Sequence, residues 1–197
     1  VVMGNVTVPA GQVLTINAAV QVRFAGHYKF IVNGRLDAQG TQFGPITFTR
    51  HTATPASHGW GVRFIDATAA QSVMRNCVVE YNNADDGING GGEDDEGGGI
   101  FIKNSNVLIE QCTIRNNTAG TGAGIAVYGS STSPAVIRRN IITANTVVSN
   151  NSIYDGGGGV GLNNAGATTA INHNLIYGNV GPVFGGNFEG GGGMQID

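Results

Sequence analysis

Six carboxylates lie close together in one stretch of the chain. Of the 13 acidic residues, six fall between positions 85 and 96: Asp85, Asp86, Glu93, Asp94, Asp95 and Glu96. Clustered carboxylates on a glycine-rich segment suit Ca²⁺, a hard cation that accepts about six to eight oxygens in variable geometry. The spacing differs from an EF-hand loop and lacks its final bidentate glutamate. The segment therefore predicts either a calcium site or a solvated acidic loop.

An acidic residue followed by glycines recurs before three apolar segments. Asp95, Asp155 and Glu189 each stand five residues before such a segment, and Gly120 holds this position in a fourth copy. Glycine permits positive φ and a close approach of the backbone to a ligand. Two interpretations follow: the acids share a ligand site, or they cap local turns through their own backbone.

The segments that follow these acids are predicted to be short strands. Each reads glycine, apolar, variable, apolar, a period of two that is typical of a strand with one buried face. The five copies are 61–64, 99–102, 124–127, 159–162 and 193–196.

A second block repeats between these strands. Its copies, 74–79, 109–114, 137–142 and 171–176, are 28 to 35 residues apart, and each is followed three residues later by an asparagine. These asparagines are Asn82, Asn117, Asn145 and Asn179. Constant strands joined by segments of variable length predict a solenoid of stacked rungs. The segments that follow the asparagines are predicted to leave the solenoid at one corner, which we call the loop corner; they are 83–98, 118–123, 146–158 and 180–192.

Stacking in register has consequences for charges and thiols. Arg75, Glu110 and Arg138 alternate in sign, and Glu80 precedes Arg115 in another column. Rungs about 4.8 Å apart would place these opposite charges in contact. Cys77 and Cys112 share one inward column with Asn140 and Asn174. That distance permits a disulfide, but side chains projecting in parallel fit its dihedral poorly, so we predict two reduced, buried thiols.

Composition excludes several classes of protein. Glycine fills 33 of 197 positions, charged residues are 12%, hydrophobic residues 41%, and the net charge is −3. A disordered polyelectrolyte needs more charge and fewer apolar residues. Two lysines and eight arginines spread along the chain predict no basic patch and no nucleic-acid partner. No apolar run is long enough to predict a transmembrane segment.

The repeats predict one domain over 1–197, with looser N-terminal rungs in 1–50 and regular rungs in 60–197. In the first part, short alternating segments are separated by turns that contain proline or glycine. The chain lacks an initiator methionine, and its last residues have the pattern of a strand just begun. We therefore expect a fragment or module of a longer chain.

These features resemble the right-handed parallel β-helix proteins of the pectin-lyase-like superfamily. The resemblance is carried by 4–11, 33–36 and 45–49, followed by the Gly-Gly-Gly-Ile and Ile-x-x-Asn-x-Ile-x-x-x-Asn repeats. It implies an all-β fold, a single right-handed solenoid of about six rungs, in which Asn140 and Asn174 form an asparagine ladder. Its members include lyases, hydrolases, tailspikes and adhesins, so the resemblance implies no single activity.

In this superfamily, catalytic clefts lie over the sheet formed by the first strand of each rung. Outward side chains of that sheet, with aromatic and acidic residues of the adjoining corner, are the predicted ligand-binding set. The set contains Arg63, Phe101, Lys103, Tyr128, Tyr154, Phe184, Phe188, Asp155 and Glu189. Aromatic faces beside carboxylates and cations are typical of a sugar-binding groove. The alternative is that the loop aromatics fold back over the core.

The motifs expected of a polygalacturonase or a pectate lyase are missing. A lyase would still need only a neutralising Ca²⁺ and a base, for which Lys103 and Arg115 are candidates. Our leading interpretation is an extracellular or cell-surface structural or adhesive module that binds carbohydrate or a protein at its loop corner, with Ca²⁺ as a candidate cofactor. One alternative is a lyase or hydrolase of an acidic polysaccharide. Another is a subunit of a filament formed by end-to-end self-association.

Overall fold

A computed structural model describes residues 1–53, 58–84, 95–129, 134–148, 156–163, 165, 168–181 and 191–196. Within these ranges the regular elements are β-strands, and no α-helix is present. The strands follow one another in rungs, each of which makes one circuit of the molecule.

The strand bounds are as follows. Rung 1 contains β1 (Val6–Val8), β2 (Val13–Ile16) and β3 (Gln21–Phe24). Rung 2 contains β4 (Phe30–Val32), β5 (Arg35–Gln39) and β6 (Ile46–Arg50). Rung 3 contains β7 (Val62–Ile65), β8 (Ser72–Arg75) and β9 (Cys77–Glu80). Rung 4 contains β10 (Ile100–Lys103), β11 (Val107–Glu110), β12 (Thr113–Arg115) and β13 (Thr118–Ala119). Rung 5 contains β14 (Ile125–Tyr128), β15 (Ala135–Arg138), β16 (Ile141–Thr143) and β17 (Thr146–Val147). Rung 6 contains β18 (Val160–Asn163), β19 (Ala170–Asn172) and β20 (Leu175–Tyr177), and β21 (Met194–Ile196) begins the next circuit.

Each rung contributes one strand to each of three parallel sheets. The first sheet has the order β1-β4-β7-β10-β14-β18-β21, the second β2-β5-β8-β11-β15-β19, and the third β3-β6-β9-β12-β16-β20. β13 and β17 form a further short ladder. The prediction of a right-handed parallel β-helix of about six rungs is confirmed.

The core is built from the inward residue of every alternate strand position. In the third sheet, the register stacks Phe48, Val79, Ile114, Ile142 and Ile176 in one column. The first four of these are fully buried. Because the same type of residue recurs at each level, apolar side chains lie directly over one another through the solenoid.

Single residues with positive φ let the chain turn sharply between the second and third sheets. Asn76, Gln111, Arg139 and His173 occupy this position in successive rungs, with φ between 48° and 56°. L-residues adopt this conformation at a cost, usually as single residues in turns. Repeating the turn at the same level of each rung keeps the following strands in register.

Two asparagine ladders satisfy buried polar groups at the turns. Asn140 Nδ2 donates to Asn174 Oδ1 at 2.9 Å, which confirms the predicted ladder. A longer ladder joins Asn82, Asn117, Asn145 and Asn179, with amide-to-amide distances of 2.9–3.0 Å. The amides also bond backbone groups, so each level is tied to the next.

The two thiols are buried and unbonded, as predicted. Cys77 Sγ and Cys112 Sγ each lie within hydrogen-bond distance of backbone carbonyls, at 3.3–3.4 Å. Two effects raise the pKa of the Cys77 thiol. The larger is a hydrogen bond with the Cys112 side chain, and the second is burial. Both side chains are buried and pack as small apolar residues of the core.

Candidate binding surface on the first sheet

The outward side chains of the first sheet form two columns. The column nearer the corner contains Arg63, Phe101, Ala126, Gly161 and Gln195, and we call it the covered column. The second contains Ile65, Lys103, Tyr128 and Asn163, and we call it the open column. Four of the predicted ligand-binding residues, Arg63, Phe101, Lys103 and Tyr128, therefore lie on one face.

The covered column lies beneath three short segments that lead from the loop corner back to the sheet. They directly precede β10, β14 and β18, and we call them the return segments. Gly97 has φ +65°, and a Cβ there would lie 2.8 Å from Phe101 Cα. Gly122 takes the same position over Ala126. The return segments pair with each other through Glu96, Thr121 and Gly156. Glycine is required because no side chain fits between the two layers.

This covering decides which predicted residues reach solvent. Phe101 is 0% exposed and Arg63 is 2% exposed. Lys103 and Tyr128, in contrast, are partly exposed. In this structure Arg63 and Phe101 support the surface from below, and the open column forms it.

Arg63 ties the return segment to the sheet. Its Nη1 donates to the Glu96 carbonyl at 2.9 Å. Its guanidinium lies 4.3 Å from the Phe101 ring centroid and 5.9 Å from that of Trp60. Lys29 Nζ lies 4.2 Å from the Trp60 ring. The two cation-π contacts of Arg63 offset part of the cost of burying its guanidinium.

Tyr128 is fixed by polar contacts on two sides. Its hydroxyl donates to Glu96 Oε1. The Tyr128 hydroxyl oxygen in turn accepts a hydrogen bond from Asn163 Nδ2 at 3.3 Å. Its ring lies 5.6 Å from the ring of Phe101. The Tyr128 hydroxyl therefore has a set orientation before any ligand binds.

The corner segments differ in part from the expectation. We expected 83–98, 118–123, 146–158 and 180–192 to leave the solenoid. Their ends instead remain stacked, through the ladder of Asn83, Thr118, Thr146 and Val180 and through the return ladder. Ala84, Ala119, Ala123 and Val147 form a small second core between these ladders. The side chains of this core are small and its segments are short, so the sequence shows no alternation of apolar and polar residues there.

Several predicted site residues lie outside the described ranges: Asp85, Asp86, Glu93, Asp94, Tyr154, Asp155, Phe184, Phe188 and Glu189. Their roles stay predictions. Asp95 and Glu96 are described and are 5% and 8% exposed. Among the described residues, no three His, Cys, Asp or Glu side chains are grouped closely enough to hold a metal ion.

The two candidate catalytic bases lie on different faces. Lys103 belongs to the open column of the first sheet. Arg115 lies on the third sheet, where its Nη2 is 2.8 Å from Glu80 Oε2, as the charge alternation predicts. The structure therefore does not bring Lys103 and Arg115 to one site.

Three of the arginines that are spread along the sequence meet on the second sheet. Arg75, Arg138 and Arg139 all contact Glu110 on the second sheet. Charge alternation predicted the pairs of Glu110 with Arg75 and Arg138. Arg139 was missed because its place in a turn of positive φ lies outside the alternating pattern.

Comparison with known families supports the fold over just over half of the chain. A family model described as a right handed beta helix region matches residues 46–147. No curated protein and no solved structure matches the chain. In the ranges that the structure describes, no helix is long and apolar enough to cross a membrane. By the matched residues and by its stacked parallel sheets, the chain belongs to the right-handed β-helix family.

Proposed function

We propose that the protein is an extracellular, non-catalytic β-helix module that binds a linear carbohydrate along the open column of the first sheet. The observation that carries the proposal is the row formed by Lys103, Tyr128 and Asn163. These residues are partly exposed and occupy the same position in three successive rungs.

The row offers chemistry that suits a sugar chain. An ammonium, a phenol and an amide provide donors and acceptors for hydroxyl and acidic groups. They repeat about every 4.8 Å along the solenoid axis, so an extended polymer lying along the axis would meet one polar group per rung. Repetition lets several modest contacts act on one ligand.

Preorganisation supports the same proposal. The carboxylate of Glu96 and the amide of Asn163 hold Tyr128 from two sides. Beneath them, the buried pair of Arg63 and Phe101 fixes the return segment. A surface that is already ordered loses less conformational entropy on binding.

Binding should depend on the open column. We expect Lys103→Ala and Asn163→Ala each to weaken binding about tenfold, the loss of one good hydrogen bond. Affinity electrophoresis and calorimetry with pectin, alginate, glycosaminoglycans and a neutral glucan would measure this. Thr15→Ala, an exposed change on the second sheet, is the control. Retention by no polysaccharide, or equal retention of all variants, would contradict the proposal.

The acidic segment adds calcium to the proposal. We expect saturating Ca²⁺ to raise the melting temperature by about 5 °C or more. Because Asp95 and Glu96 are buried, replacing them would destabilise the fold with or without the ion. The informative variant is therefore Glu93→Gln with Asp94→Asn, which should abolish the rise in a thermal scan. Asp37→Asn, on the second sheet, should leave it intact. A melting temperature that Ca²⁺ does not change would refute this part.

A further inference from the structure

Three arginines converge on one carboxylate at the carboxyl ends of three neighbouring strands of the second sheet. The register places Arg75, Glu110 and Arg138 at the same position in three successive rungs. Arg139 is the next residue, in the turn to the third sheet. We call Arg75, Arg138 and Arg139 the arginine ridge.

Glu110 anchors the ridge from below. Its side chain is 5% exposed, and its Oε2 accepts hydrogen bonds from Nε and Nη2 of Arg75 at 3.0 and 2.9 Å. Its Oε1 accepts from Arg138 Nε at 2.8 Å and from Arg139 Nη1 at 3.4 Å. Burial acts to raise the pKa of this carboxyl, but the hydrogen bonds from Arg138 and Arg75 outweigh it, so the pKa is lowered.

The charges of the ridge do not balance. Three guanidinium groups share one carboxylate, which leaves a surplus of two positive charges. On the neighbouring strand β5, the carboxylate of Asp37 is paired with Arg35, whose Nη2 lies 3.5 Å from Asp37 Oδ2. Arg75 Nη1 donates to Oε1 of Gln39, which is neutral. No further carboxylate contacts the three arginines in the described part of the chain.

The ridge also has hydrogen-bond donors to spare. Within the described residues, Arg138 donates through Nε alone, and Arg139 through Nη1 alone. Their side chains are 41% and 63% exposed. A guanidinium has five N–H groups in a planar fork that matches the oxygens of an oxyanion. The ridge therefore presents several exposed, charge-assisted donors, and Glu110 orients them.

We propose that the arginine ridge binds a sulfate or phosphate oxyanion, either free or as an ester group on an acidic polysaccharide. The site lies on the second sheet and is separate from the open column of the first. Duplex DNA and anionic membranes require larger sets of basic residues than these three. A single tetrahedral oxyanion with two negative charges matches the surplus charge, and its oxygens can accept from the remaining guanidinium donors.

Calorimetric titration at constant ionic strength tests the ridge. The probes are sodium sulfate, sodium phosphate, heparin as a sulfated polysaccharide, and uncharged dextran. We expect saturable binding of an oxyanion, no binding of dextran, and at least tenfold weaker binding by Arg139→Gln. This variant keeps the contacts of Glu110 with Arg75 and Arg138, so its melting temperature should be close to that of the parent. Arg23→Gln, an exposed change on the third sheet, removes the same charge elsewhere.

The outcomes separate the sources of the oxyanion. Saturation by sulfate or phosphate alone indicates a free ion, whereas binding of heparin alone indicates the ester group on a polymer. Absence of binding by all three anions would overturn the proposal. Equal weakening by Arg139→Gln and Arg23→Gln would also overturn it, because the effect would then follow net charge. Duplex DNA is titrated separately as a competing polyanion, and tighter binding of DNA than of heparin would overturn the choice of ligand class.

Discussion

Gly124→Ala is expected to lower the free energy of unfolding by about 3 kcal/mol. A Cβ at Gly124 would lie 2.4 Å from the Gly159 carbonyl oxygen and 3.0 Å from Asn145 Nδ2. The first of these atoms is backbone of the next rung, so relief requires the two rungs to move apart. Such a movement would also disturb the asparagine ladder. Urea unfolding followed by circular dichroism measures the loss.

Gly193→Ala is the matched control for this change. Gly193 follows Gly124 and Gly159 in the same column, but a Cβ there would have no atom within 4 Å. The same substitution at the same turn should therefore change the free energy of unfolding by less than about 1 kcal/mol. Equal losses at Gly124 and Gly193 would show that glycine is needed for its backbone conformation and not for the closeness of the rungs.

Asn117→Ala is expected to cost about 3 kcal/mol, because several buried hydrogen bonds are lost together. Asn117 is fully buried, and its Oδ1 accepts from both the backbone N and the Nδ2 of Asn82, at 3.1 and 3.0 Å. Its Nδ2 donates to the Val79 carbonyl at 3.0 Å and to Asn145 Oδ1 at 2.9 Å. Alanine would leave these buried groups without partners. Chemical unfolding at equilibrium measures the loss.

The same change at Asn179 provides the comparison. Asn179 is the last described member of the ladder and is partly exposed, so water can replace lost partners. We expect Asn179→Ala to cost no more than about half as much as Asn117→Ala. If both variants lost the same stability, burial within the ladder would not explain the effect.

The fold could be predicted because stacking repeats one local pattern. The column that contains Ile114 and Ile142 was visible as a repeated apolar position, and the strand register confirms it. The pairing of Glu80 with Arg115 could be predicted for the same reason. In a parallel solenoid, residues many positions apart become neighbours by a fixed rule, so aligning the repeats also identifies the contacts.

The exposure of the site could not be predicted in this way. Alternation shows that Arg63 and Phe101 point away from the core, but it does not show that a second segment lies over them. That segment is short and rich in glycine, so it has no apolar period of its own. Arg139 joins Glu110 from a turn, where strand alternation does not apply. Layers and turns outside the strands therefore limited what the sequence showed.

Mapping where a bound sugar lies tests the proposed binding surface on the open column most directly. The oligosaccharide that binds tightest in the polysaccharide panel would be titrated into isotope-labelled protein and followed by amide chemical shifts. We predict that the largest changes fall at the ends of β10, β14 and β18, around Lys103, Tyr128 and Asn163. Changes confined to the second or third sheet, with these three strands unaffected, would contradict the proposed binding surface.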